Sequence, residues 1–409
     1  MASLNSFKNK EPKNKLKVNS LTFLIICSLV ITSIIVLSPL QTYPNNPSDL
    51  PALYISCGNK IEKKKYVNCI LNIDHEPTSG KIRIRGVSNA DRDKVGYRIE
   101  LSEQISLLGM RTDDDWQLFA MYQDMTRMKY KLSFDLWNEM QSKNSHTVLP
   151  ESRFVNLFIN GKFQGLYLLA ENDDRKLFGL DKEAQDNSDS SLIFQAKRDI
   201  YFTDYDYDDW EQDWPNEDEG IYIIDDILPD LIAFVDDTNN ETFFDSNKGI
   251  YSKFDKDNLI DFLLFGFFNL HRDAWNKNFF LIRNTAPNKF YLIPWDFDYS
   301  WGQFQDRFYE VDKNPEGYIQ YYNKLFERLM NNLDFMYDCK IRWFELREDI
   351  FVEDYILGML SDMYEEIEDS IEVDLKLWNS DVNLEKYVDY LFEWIPERLE
   401  FCDSYFTEF

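Results

Sequence analysis

The chain has 409 residues, 44% of them hydrophobic and 16% aromatic, so it can bury a sizeable core. Its formal net charge is −29. That charge argues against nucleic-acid binding, because phosphate backbones are held by clustered Lys and Arg. It suits an extracytoplasmic surface, a divalent cation or a basic partner without choosing among them.

The N-terminus departs from this pattern. Lys8, Lys10, Lys13, Lys15 and Lys17 precede the uncharged run "LTFLIICSLVITSIIVL" at 21–37. An apolar helix of about 17–20 residues spans a bilayer, and a basic flank stays in the cytoplasm. The predicted layout is a basic cytoplasmic tail (1–20), a transmembrane signal anchor (21–38), a linker (39–51) and one extracytoplasmic domain (52–409). The alternative is secretion after signal cleavage, although "VLSPLQTYPNN" offers no convincing small-residue cleavage site. An oxidising compartment makes Cys57, Cys69, Cys339 and Cys402 candidates for disulfides. Cys57–Cys69 would staple a hairpin, while Cys339 and Cys402 either pair or remain buried thiols.

Period-two alternation predicts strands at "ALYISC", "YVNCILNI", "KIRIRG" and "GYRIEL" within 52–101. A helix follows at 127–140. "RFVNLFINGKFQGLYLLAE" (153–171) is a hairpin turning at Asn160-Gly161, a pair that favours positive φ. "SLIFQAK" (191–197) is a further strand. "DYDYDDWEQDWPNEDEG" (204–220) carries nine acidic residues; it reads as a solvated loop, with a calcium or basic-peptide site as the sharper alternative. A helix capped by Asp255 or Asp257 runs to about Leu270. "NFFLIR" and "KFYLIP" form a second hairpin that enters "WDFDYSWG" (295–302). The remainder, about 320–405, is helical. The fold class is therefore α+β, sheet-rich first and helical last.

His271-Arg272-Asp273 followed at +5 by Asn278 has the H-R-D-x-x-x-x-N spacing of a kinase catalytic loop. The chain has no G-x-G-x-x-G loop, V-A-I-K strand, D-F-G or A-P-E. The match alone is weak, and a capped helix end with Asp273 and Asn278 bonded to loop backbone explains it equally. The residues C-terminal to it strengthen the match. A hairpin starting at Asn278 returns the chain at Asp296 and Asp298, bringing the loop and two carboxylates toward one pocket. Continuation of the second strand would put both aspartates on one face, where like charges call for a metal or another cation. One carboxylate can then orient an attacking hydroxyl while an amide oxygen and another carboxylate hold a cation against phosphates. A carboxylate-pair hydrolase using Asp273 and Asp296 does not explain Asn278.

Ordered segments resemble the CotH family of atypical secreted protein kinases. They are "RGVSNADRDKVGYRIEL" (85–101), "LLGM" with "DDWQLFAMYQDMT" (107–126), "SRFVNLFINGKFQGLYLLAE" (152–171), "RDAWNKNFFLIRN…FYLIPWDFDYSWG" (272–302) and "WIPERLEFC" (394–402). The resemblance implies an atypical kinase-like fold that takes ATP with Mg²⁺ or Mn²⁺. It makes Asp273 the catalytic carboxylate, and Asn278 and Asp296 metal ligands, with Asp298 beside them. Lys94 would lie near the nucleotide phosphates, and Glu171 would orient it. Arg85 is either a second phosphate contact or a salt-bridged core residue. The implied substrates are Ser or Thr of exported or surface proteins, basic ones among them. The alternative is an inactive relative that binds partners on a cell or spore surface. The sequence departs from the family at Lys129-Tyr130 (for Arg-Asn), at Asn89 and at Gly96, which bears on nucleotide affinity and substrate choice.

Overall fold

The computed structural model describes residues 45–73, 77–86, 92–181, 189–215 and 221–409. The expected anchor (21–38), its basic tail and the start of the linker lie outside the described residues. Among those described, no helix is long and apolar enough to cross a membrane.

Alternation sets the first half of the fold. In β2 (Val67–Asn72), Val67, Cys69 and Leu71 are buried while Asn68 and Ile70 are exposed, as a half-buried strand requires. Together with β1 (Ala52–Cys57), β3 (Thr78–Ile84), β4 (Tyr97–Ser106), β5 (Thr112–Phe119), β6 (Ser152–Ile159) and β7 (Lys162–Glu171), it closes a barrel in the order β1-β2-β3-β4-β5-β7-β6. A parallel pairing of β1 with β6 makes the closure. Leu53, Ile99, Trp116, Leu157 and Leu169 help fill the interior. The β6–β7 turn has Asn160 and Gly161 at φ +50° and +73°, as the Asn-Gly pair implies.

A second, four-stranded sheet is ordered β11-β10-β8-β9, from β8 (Leu192–Ala196), β9 (Trp210–Trp214), β10 (Phe279–Arg283) and β11 (Tyr291–Pro294). Helices α1 (Lys129–Glu139), α2 (Ile224–Asp237), α3 (Asn240–Phe243), α4 (Ile250–Lys253) and α5 (Lys256–Phe268) surround it. The C-terminal part is helical: α6 (Glu316–Tyr322), α7 (Lys324–Met330), α8 (Leu333–Asp349), α9 (Glu353–Trp378) and α10 (Leu384–Thr407). Asp255 caps α5 by accepting the Asn258 N–H at 2.8 Å. The class is thus α+β, sheet-rich before helical.

Three expectations change. The acidic stretch is not wholly a loop: Trp210–Trp214 pairs with β8, burying Trp210 and Gln212, while 216–220 lies outside the described residues. The strand through "YLIP" stops at Pro294, so Asp296 and Asp298 sit on a turn instead of one strand face. Cys57 and Cys69 are direct cross-strand partners, yet they stand as thiols, as do the buried Cys339 and Cys402.

Candidate active site

β10 and β11 pair with Phe279 opposite Pro294. Just beyond that pair, the Trp295 N–H donates to the Asn278 carbonyl at 2.8 Å, and the Asn278 N–H donates to Ala196 of β8 at 3.1 Å. Asn278 and Asp296 therefore emerge at the same end of the hairpin. Both have left-handed backbone, at φ +57° and +60°. That conformation costs a non-glycine residue on the order of 1–3 kcal/mol, and such strain gathers at functional sites.

The turn after β11 is tied back to the end of α5. His271 Nε2 lies 3.0 Å from the Asp296 carbonyl, so this nitrogen carries the proton. Burial pushes the His271 pKa down to about 4, which keeps the ring neutral at pH 7. The Trp301 N–H donates to Asn269 O at 2.6 Å. From the other side, α1 supplies the residues at the Lys129-Tyr130 departure. The Tyr130 hydroxyl donates to the Asp296 carboxylate. Lys129 Nζ donates to the Asp298 and Gln303 carbonyls at 2.7 and 3.1 Å. Gln123 Nε2 donates to the Asp298 carboxylate at 2.9 Å.

These residues open onto a cleft of about 680 Å³ between the barrel wall and the four-stranded sheet, a size ordinary for a ligand site. Asn278, Asp296, Asp298, Lys94 and Arg85 all line it. The Arg85 guanidinium stacks 4.0 Å above the Phe119 ring and forms no ion pair among the described residues. It is therefore a cation presented to the cleft, and the salt-bridged core alternative is not met.

Lys94 is fully buried. Its ammonium donates at 2.6 Å to both the Leu166 carbonyl and Asp374 of α9. Arg127 Nε meets the other Asp374 oxygen at 2.9 Å. The expected Lys94–Glu171 pair does not form: Glu171 lies outside the cleft lining and accepts the backbone N–H of Arg111 and Glu151 at 3.0 and 3.1 Å. Asp273 also lies outside that lining, on the short turn Arg272–Trp275 that precedes Asn278. It is partly exposed and pairs with Lys277 at 3.1 Å.

Asp296 and Asp298 form no ion pair among the described residues, because the nearby Lys129 spends its ammonium on carbonyls. Burial and the charge of Asp296 raise the Asp298 pKa to about 7. Two neighbouring carboxylates that form no ion pair, beside an amide oxygen, make an all-oxygen donor set that fits Mg²⁺ or Mn²⁺. Asp113, Asp115 and Asp174 also cluster, with ligand atoms within 4.8 Å of one another. Arg111 and Lys176 pair with Asp113 and Asp174 of that group at 2.5–3.1 Å, and burial raises the Asp115 pKa to about 6.

Sequence reasoning missed Tyr130 as a partner of Asp296, Lys277 as that of Asp273, and Asp374 as that of Lys94. Asp374 left a trace, since it continues the buried stripe of Ile367 and Ile371. A carboxylate on an apolar helix face calls for a buried cation.

Comparison with known proteins places the chain in a family. The chain is 24% identical over 384 residues to the inner spore coat protein H of Bacillus subtilis (strain 168), covering 88% of this chain and 99% of that protein. The profile of the family described as CotH kinase protein matches residues 82–402, which include every candidate site residue above, and the chain belongs to that family.

Proposed function

We propose that this chain is an extracytoplasmic, membrane-anchored phosphotransferase that moves the γ-phosphoryl group of ATP to Ser or Thr hydroxyls of exported or cell-surface proteins. The observation that carries this reading is the shared end of the β10–β11 hairpin. Asn278 and Asp296, both at positive φ, open there into the cleft lined by Lys94 and Arg85, with Asp273 on the adjoining turn. Asn278, Asp296 and Asp298 would hold Mg²⁺ or Mn²⁺, which when bound offsets the negative charge of the triphosphate.

The residues divide the remaining work. Arg85 and Lys94 supply positive charge along the phosphates. Asp273 orients the acceptor hydroxyl and takes its proton, and its pairing with Lys277 aims the carboxylate. Tyr130 and His271 fix Asp296 through its carboxylate and its carbonyl. Such transfer is mostly positioning and electrostatics. The uncharged run at 21–37 supports an N-terminal anchor, and the coat-protein relative supports a surface location.

One observation favours a second reading. The Lys94 ammonium is committed to Asp374 and Leu166, which also suits a partner-binding surface protein without turnover. The deciding experiment incubates the full-length chain with labelled ATP, Mg²⁺ or Mn²⁺ and a mixture of exported proteins. Incorporation that is lost in Asp273→Ala supports the enzyme. Absence of incorporation with either metal, by a protein that still binds ATP, supports the second reading.

A further inference from the structure

A second cavity, of about 380 Å³, opens beside Asp273. Its walls are apolar and aromatic: Leu270, Trp275, Pro315, Tyr318, Tyr321 and Tyr322. Arg272 and Trp275 line it, and these are the two ends of the short turn that carries Asp273. Asn278, three residues beyond that turn, lines the other cleft. The turn bearing Asp273 thus borders this cavity, and the chain reaches the other cleft three residues later, at Asn278.

The chemistry of this cavity differs from that of the nucleotide cleft. The Arg272 guanidinium sits over the Tyr318 ring at 4.6 Å, and within 5.5 Å of the Tyr299 and Tyr309 ring centres. It is held by aromatic faces. Lys313 is an exposed lysine at the same cavity. Among the described residues neither cation forms an ion pair, in a chain whose net charge is −29. Tyr321, 74% exposed, is a large aromatic surface with little burial of its own. An aromatic wall with two cations that form no ion pair among the described residues is complementary to an apolar side chain beside an acidic one.

We propose that this cavity is the acceptor-side subsite. It takes a bulky apolar side chain, with an adjacent carboxylate directed to Lys313 and Arg272, from the protein segment whose hydroxyl reaches Asp273. The proposal rests on the phosphotransferase reading for its purpose and not for its binding chemistry. Asp273 lies outside the lining of the larger cleft and between Arg272 and Trp275, which line this cavity, so a segment seated here brings its hydroxyl near Asp273.

The test uses the full-length chain and three fluorescent peptides. Each contains one serine, flanked by Phe-Glu, Ala-Glu or Phe-Lys. Gly317 lines the cavity, and a Cβ added there would meet nothing within 4 Å. Gly317→Trp therefore adds bulk at the cavity from an unobstructed Cβ, with its melting temperature checking that the fold is kept, and Lys313→Glu reverses one charge. The Phe-Glu peptide should bind wild type at least tenfold more tightly than either other peptide, the scale on which pockets discriminate apolar groups. Gly317→Trp should erase the Phe preference and Lys313→Glu the Glu preference. In turnover, both should raise KM for the peptide while KM for ATP stays fixed. Equal binding of the three peptides overturns the proposal, as does a Gly317→Trp protein with unchanged peptide affinity. Loss of self-association in Gly317→Trp without loss of peptide binding also overturns it, because a second copy of the chain then occupies the cavity. Selective peptide binding without phosphate transfer upholds the subsite and defeats the phosphotransferase reading. Transfer with no flanking preference does the reverse.

Discussion

Asp273 and Asp296 are separated by 23 positions and by their surroundings, so their removal should fail in different ways. Asp273 is partly exposed on its turn and paired with Lys277, outside the lining of the cleft. Asp273→Ala should lower turnover by ~10²–10⁴-fold, the range for one general base, with Mg²⁺-ATP binding nearly intact. Asp296→Ala should instead abolish the Mg²⁺-dependent part of nucleotide binding. Thermal shift with and without Mg²⁺-ATP, beside phosphate incorporation, separates the two. If Asp273→Ala keeps wild-type turnover, the H-R-D-x-x-x-x-N spacing is coincidence. Asp298 adds a pH dependence. Burial and Asp296 raise its pKa from 3.8 to about 7, so the folded protein holds this proton more tightly than the unfolded chain. Its stabilising contribution is complete below about pH 4 and is lost as pH rises to about 7. Metal-free protein should therefore lose melting temperature over that window. Mg²⁺, which competes with the proton, should stabilise most above pH 7 and least near pH 5. A Mg²⁺ shift independent of pH would remove Asp298 from the donor set.

Elements were legible where their cause is local. Asn160-Gly161 announces its turn, the alternation of "VNCILN" its strand, and Asp255 its helix, because propensity and period act within a few residues. The hairpin from Asn278 to Trp295 was readable for the same reason, and with it the approach of Asn278 to Asp296. Barrel closure was not readable, since the parallel β1–β6 pairing joins segments about a hundred residues apart and no local pattern encodes a distant partner. β5 hid behind "TDDDW": its first half is only partly buried, and only its second half is continuously buried. β9 hid in an acidic run for a similar reason, because only pairing with β8 turns Trp210 and Gln212 inward. One glycine in β7 carries a sharp requirement. Gly165 has φ +113°, and a Cβ there would lie 2.1 Å from Asp374 Oδ1. Gly165→Ala should lose at least about 2 kcal/mol through backbone strain and displacement of Asp374, readable as a lower midpoint in urea. An unchanged midpoint would show that α9 can shift away freely.

At the scale of the whole molecule, the site depends on a contact that spans nearly the entire domain. Lys94 precedes β4, Arg127 precedes α1, and Asp374 lies on α9 more than 240 residues further on. The Asp374 carboxylate accepts from Lys94 at 2.6 Å, from Arg127 at 2.9 Å and from the Leu166 N–H at 3.0 Å, with both side-chain cations fully buried. Arg127 Nη2 reaches further to Asn379 at 2.6 Å, just past the end of α9. The C-terminal helices thus hold the lysine that lines the cleft, a task the sequence resemblance gave to Glu171. Removing the carboxylate strands two buried cations, and breaking a buried ion pair by deleting one partner costs about 3–5 kcal/mol. Asp374→Ala should therefore be strongly destabilised in urea. Glu171→Ala, which removes acceptors for two backbone N–H groups, should cost only about 1–3 kcal/mol. The decisive comparison is functional and uses Asp374→Asn, which keeps shape and acceptor oxygen but drops the charge. If α9 positions Lys94 for ATP, this variant should raise KM for ATP well beyond any effect of Glu171→Gln, at temperatures where both are fully folded. Equal effects, or a greater effect of Glu171→Gln, would return the positioning role to the hairpin and leave Asp374 as a tether between barrel and helices.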